Sequence, residues 1–544
     1  IGYNGPMHKL LAPVAAALLL APTALAQGGW DTVKQRELGL EYKMARDYEA
    51  IPVDPLEDFV VLIYQAELPR DEDLRAEYKQ YTPRLEFVLI DHSLGVATPT
   101  SGEGELPPPP PSDGDDGDGE PEEADEEREA YKPPPPINNL ERYVQQRTRG
   151  WSLGLPTEHG EDDGYTLTEY EFLPERGKLV GTVYAFSNNA RTIALIGSCF
   201  DKHHEDQKDI WDAIVKKLKL TEPDTSRQDE EDAKLLKSYE RKGYLDPEFR
   251  VAARRSLPKG WKADDTDNYI MVYSTKDEPL LRLIKRELEA IRKTYEEMFP
   301  PLEPVTAVSR VRICKDQDEY FAYGGPKGSG GYWNWMAEEL VFYDYQNVDG
   351  EAGTGKANSR IVLYHEAFHQ YIYYSAGSFS PHSWFNEGHG DYFSGAKISG
   401  GKVKLIKPSP WRVETAKEMI ERGRTVPWEE IIRWSQAQYY GQNDRKQSGG
   451  LNYAQGWSMI YFLRESKAAQ RHEVWSGILD RYFATLRDEY NAGLAELAAE
   501  GHDDNHLAVR DMELEALDKA VDVAFADVDF DELEAAWAEF ILDL

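Results

Sequence analysis

Apolar positions fall along this chain in two rhythms. Between residues 58 and 197, β-branched and aromatic side chains gather in short runs at 58–66, 84–91, 165–173, 179–186 and 191–197, and each run predicts a strand. At 205–218 the period lengthens. Ile210, Trp211, Ile214, Val215 and Leu218 share one face of a predicted helix. The pattern restarts after residue 262. A strand at 269–274 leads into a long amphipathic helix at 278–299, whose apolar face is Leu281, Ile284, Leu288, Ile291, Tyr295 and Met298. Pro300 and Pro301 stop that helix. Strands are predicted at 308–314, 332–336 and 339–345, around a Gly-rich stretch at 324–331, and from 359 onward the chain reads as mainly helical. The expected fold class is α+β: a small N-terminal α/β domain at 27–222 and a larger domain at 261–544, a sheet followed by helices.

Composition marks the segments between. Residues 101–136 hold two proline runs around a stretch of Asp, Glu and Gly in which Arg128 is the one basic residue from 103 to 129. Such a segment cannot bury a core, so it reads as a solvated insert in the first domain. Its Asp-Gly repeats do not make a calcium loop: counting from Asp116, the sixth place, which needs glycine, is Pro121. Residues 223–260 are charged and helical in pattern, and read as a linker. From Met7, the sequence MHKLLAPVAAALLLAPTALAQ gives a positive start at Lys9, a short apolar run and the small-x-small site Ala24-Leu25-Ala26. That is the pattern of an export signal, so residues 1–26 drop out of the fold reading and the mature chain is expected outside the cytoplasm. The apolar run is too short to span a bilayer. The strands of 27–222 closing on DIWDAIVKKLKL resemble small PsbP/Mog1-like domains of bacterial exported proteins.

A net charge of −36 repels nucleic acid and anionic lipid, which excludes both as partners. Cys199 and Cys314 fall in different predicted domains, which favours free thiols, and two cysteines alone cannot make a thiolate zinc site.

The chemistry concentrates in IVLYHEAFHQYIYY, residues 361–374. His365 and His369 are four apart, so a helix projects both from one face, one turn apart. Glu366 stands beside them. Two imidazoles to hold a metal and a carboxylate to take a proton from an activated water is the physical content of H-E-x-x-H. WFNEGHGDYF, residues 384–393, follows across a turn. Glu387 can supply the third protein ligand from this second helix, leaving one position open. Asp391, four residues on, lies on the same face and can accept a hydrogen bond from the far nitrogen of a ligand histidine, His365 on this reading.

H-E-x-x-H followed at this distance by N-E-G-x-x-D-Y-F resembles the gluzincin superfamily of metallopeptidases, and within it uncharacterised secreted bacterial peptidase-like proteins. The resemblance covers about residues 262–544. It implies a zincin-like peptidase domain, one Zn2+ per chain on His365, His369 and Glu387, Glu366 as general base, and a peptide or protein substrate. LNYAQGWSMIYFL, residues 451–463, resembles the Y-x-x-G helix of the aminopeptidase branch, which implies that Tyr453 stabilises an oxyanion. The Gly-x-Met-x-Asn segment that recognises a free amino terminus in many aminopeptidases is absent; GGYWNWM, 330–336, occupies that region, so the substrate's end is left open. A metzincin reading fails, since Ile372 and Ser375 stand where its Gly and third His belong. His389, two residues from Glu387, turns away from the metal on a regular helix, and His382 and His472 have no motif behind them. Two other functions fit the same pattern: a peptidase fold kept as an inactive scaffold, and a zinc hydrolase acting on a non-peptide bond.

Overall fold

The computed structural model describes residues 29–93, 135–148, 150–345, 355–441, 449–502 and 505–544. Residues 1–26, expected as an export signal, and all but the last two residues of the expected insert lie outside the described residues. The chain is α+β, with N-terminal β-sheets and a helical C-terminal region. Its described residues divide into two compact units, the first within 29–49, 63–93 and 136–225, the second holding 50–62 and the chain from 226 onward.

In the first unit, the runs expected at 84–91, 191–197, 179–186 and 165–173 form adjacent antiparallel strands, Arg84–Asp91, Arg191–Phe200, Leu179–Ser187 and Tyr165–Pro174. Helix His204–Val215 turns Ile210, Trp211 and Ile214 inward. Trp211 donates its indole N–H to the Tyr48 hydroxyl at 3.1 Å, and that hydroxyl donates to Gln207 at 2.5 Å, so the buried polar groups here have partners. Cys199 and Cys314 are both buried free thiols.

The second unit is built on a five-stranded sheet in the order Lys262–Asp265, Tyr269–Tyr273, Ser309–Cys314, Glu339–Tyr343, Gly331–Asn334. The central pairs are parallel; Gly331–Asn334 runs antiparallel at the edge. Helix Glu278–Met298 buries Leu281, Ile284, Leu288, Ile291 and Tyr295, the stripe its 3.6-residue period predicts. It packs in one core with Leu363, Tyr364, Phe368 and Tyr371 of helix Gly355–Ala376. The segment expected as a linker carries two helices, Ser226–Lys242 and Pro247–Arg255. Arg250, fully buried, ties the second of them to Asp265 at 3.2 Å and to the Tyr269 carbonyl at 2.9 Å. Within the region expected to be helical, a hairpin intervenes, Ala396–Ser399 with Lys402–Ile406. Among the described residues no helix is long and apolar enough to cross a membrane.

A charge pair is sunk in this unit's sheet. The Arg312 guanidinium donates to Glu339 at 2.6 Å with both side chains 1% exposed, and Tyr323 donates its hydroxyl to the same carboxylate. Arg310 lies 3.9 Å from it. Removing the one carboxylate leaves buried guanidinium charge without a counterion. Glu339→Ala is therefore expected to cost about 3–5 kcal/mol in urea unfolding of this unit, and a loss under about 1 kcal/mol contradicts this reading.

Candidate metal centre

Helix Gly355–Ala376 sets the first two donors. Leu363, Tyr364, Ala367, Phe368, Tyr371 and Ile372 are 0–1% exposed, which locks its rotation. His365 and His369 consequently face one side, their rings 4.6 Å apart at 83°. Helix Ser383–Ser394 brings the third donor. Its close approach depends on two glycines in N-E-G-H-G-D. A Cβ on Gly390 would lie 2.9 Å from the His365 ring, and one on Gly388 2.7 Å from the Gly456 carbonyl on helix Gly449–Glu465. Those contacts leave no room for a side chain, so three helices converge here with backbone against backbone and ring.

The donor atoms converge as the sequence predicts. Glu387 Oε2 lies 3.0 Å from His365 Nε2 and 3.4 Å from His369 Nε2. The three ligand atoms lie within 4.8 Å of one another, and they form the one such His/Cys/Asp/Glu group among the described residues. Two donors each about 2.0–2.1 Å from a tetrahedral zinc are separated by about 3.3 Å, which these separations match. The far nitrogens are engaged from outside: His365 Nδ1 lies 3.3 Å from Asp391, and His369 Nδ1 2.8 Å from the Asn386 side-chain oxygen. Each Nδ1 thus donates its hydrogen outward, which in the neutral ring leaves the Nε2 lone pair facing inward. Without a metal, a proton shared between His365 Nε2 and Glu387 Oε2 at 3.0 Å links these atoms; a cation seated between all three takes the place of that proton. The donor set fits zinc.

The electrostatics agree. Burial opposes charging His365, yet Asp391 and Glu387 outweigh it and hold its pKa well above the ordinary imidazole value. Burial likewise opposes charging His369, and Glu387 carries its pKa upward. Burial raises Glu387, but His369 and His365 hold its carboxyl well below the usual range. The pocket therefore demands positive charge.

Glu366 is next to the donors. Burial and the neighbouring Glu387 raise its pKa, while the two imidazoles and the main-chain N–H of Trp333 lower it. Trp333 belongs to the edge strand Gly331–Asn334, so that edge runs beside the carboxylate. Tyr453 stacks over His365, ring centroids 6.4 Å apart at 23°. Burial, then the charge on Glu387, push its pKa up, so its phenol stays protonated and able to donate.

No protein-family model matches this chain. No curated protein matches it either. Among solved structures, the solution structure of cyanobacterial PsbP (CyanoP) from Synechocystis sp. PCC 6803 matches at 8% identity and a TM-score of 0.22, covering 36% of this chain and 94% of that one. A match of that size carries no argument about what the site does, which rests on its geometry alone.

The structure brings together all six residues singled out in the sequence and leaves the other histidines aside. His389 donates Nδ1–H to the Phe385 carbonyl at 2.9 Å and faces Arg464 at 3.4 Å. His382 pairs with the Tyr482 hydroxyl at 2.9 Å, and His472 stacks on Trp475. Three site residues went unassigned in the sequence: Asn386, inside the quoted motif but given no role; Arg412, whose guanidinium meets Asp391 at 2.6 Å; and Tyr440, which donates to Glu387 Oε1 at 2.6 Å. Arg412 and Tyr440 sit in no recognisable motif, so only the fold reveals them. Because Asp391 orients the His365 ring, Asp391→Asn is expected to lower zinc affinity about 10–100-fold in a chelator competition, and unchanged affinity rules that role out.

Proposed function

We propose that this chain is a zinc-dependent metallopeptidase with His365, His369 and Glu387 as its metal ligands, exported by its N-terminal segment. The observation that carries the reading is the convergence of three ligand atoms, from His365, His369 and Glu387, beside the half-buried carboxylate of Glu366. A zinc ion bound there supplies a Lewis acid that acidifies water and polarises a carbonyl. Glu366 takes the proton of the attacking water and passes it to the leaving amine. Tyr453 donates its hydroxyl to the negative charge that develops on the substrate carbonyl oxygen.

The edge strand supports a peptide as substrate. Among the described residues, Gly331–Asn334 is paired within the sheet on one side only, to Glu339–Tyr343. An extended chain can add along its other side as a further strand, which holds the scissile bond beside Glu366. Trp335, 47% exposed, lies tilted at 37° to Tyr373 with ring centroids 6.3 Å apart and offers an apolar wall for a substrate side chain.

Glu366→Gln separates chemistry from binding. It is expected to keep about one zinc per chain, as a three-ligand site holds, while turnover of a fluorogenic peptide library falls about 10²–10⁴-fold. Turnover at the parent rate removes Glu366 as the base.

A further inference from the structure

The carboxylate of Glu387 uses its two oxygens differently. Oε2 faces both imidazoles, at 3.0 and 3.4 Å, while Oε1 accepts the Tyr440 hydroxyl at 2.6 Å. The terminal torsion of a glutamate is broad, so nothing in the side chain itself selects which oxygen turns to the metal. A short hydrogen bond on one oxygen makes that selection, and a charge-assisted bond of this length is among the stronger ones available.

We infer that Tyr440 is the positioning residue that presents Glu387 to the metal through a single oxygen. The inference rests on the metal-centre reading above and deepens it.

The surroundings of Tyr440 suit that task. It follows the one-turn helix Gln436–Tyr439, whose start is fixed by reciprocal bonds between Ser435 and Gln438. Tyr439, its neighbour, donates its hydroxyl to the Asn452 carbonyl at 2.9 Å and receives the Asn452 amide on its own carbonyl at 2.7 Å. Those two bonds fasten this segment to helix Gly449–Glu465, which carries Tyr453. The Tyr440 and Tyr453 rings then stack 6.0 Å apart at 16°. Two phenols thus stand at one centre: Tyr440 is committed to the ligand carboxylate, and the Tyr453 hydroxyl is in hydrogen-bond reach of Tyr440's. Arg412 reaches Asp391 at 2.6 Å while its guanidinium lies 5.2 Å from the Tyr453 ring centroid.

Tyr440→Phe keeps the ring stack and removes one hydroxyl. Zinc and cobalt(II) affinities are measured by chelator competition on the full chain, with the metal-free melting temperature recorded alongside. The expected result is an affinity lower by about 10–100-fold and a metal-free melting temperature near the parent's. The same substitution is then made on Glu387→Ala and on Asp391→Asn. Acting through Glu387, Tyr440→Phe changes nothing further in the first background and subtracts its full loss in the second. An equal loss on Glu387→Ala, which general destabilisation would also produce, overturns the assignment. So does parent-like affinity of the single variant. A folded parent that binds neither zinc nor cobalt overturns the metal-centre reading itself, and this inference with it.

Discussion

Three ligand atoms brought together inside a core define this protein's second unit. His365, His369 and Glu387 point them at one spot, within 4.8 Å of one another. Water reaches that spot poorly, because the imidazole side chains are 11–14% exposed and the carboxylate 5%. Positive charge, from a proton or a metal ion, balances the carboxylate there. The surrounding arrangement holds those atoms in place: the tightly buried helix Gly355–Ala376, the glycines that admit helix Ser383–Ser394, and the outward bonds on each Nδ1.

The outer contacts spread over several helices. Asn386 and Asp391 come from the helix of Glu387 itself, Arg412 from helix Pro410–Glu421, and Tyr440 from the one-turn helix that leads to it. A centre braced from so many directions tolerates little motion of any ligand, which is what a reaction needing a fixed base and a fixed donor requires. The sheet contributes differently. Its edge strand places the Trp333 main-chain N–H on Glu366, so the surface that would carry a peptide and the carboxylate that would act on it are joined by one hydrogen bond.

The legible parts of the sequence were those with a local period. Helix Glu278–Met298 announced itself through its apolar stripe, and the donors through a spacing of four on one helix and a carboxylate on the next. Strands with buried, β-branched residues were equally plain. Strands whose residues face water were not: Thr157–Asp162 is exposed throughout and exists by backbone pairing with Tyr165–Pro174, which leaves no hydrophobic alternation to read. The charged strand Lys262–Asp265 escaped for a similar reason, its Asp265 serving Arg250 rather than the core. Tyr440 and Arg412 escaped because a contact across 53 or 21 residues of sequence leaves no periodic trace. The glycines of the second motif were visible as letters, but their reason, contact with the His365 ring and the Gly456 carbonyl, is tertiary.

The central claim is that the clustered acceptors hold a metal ion. Metal content per chain, by elemental mass spectrometry on the purified protein and on Glu387→Ala, tests it most directly. About one zinc in the parent and far less in the variant is the predicted result, since removing one of three ligands leaves only two imidazoles. A well-folded parent without zinc, even after zinc is offered, contradicts the account.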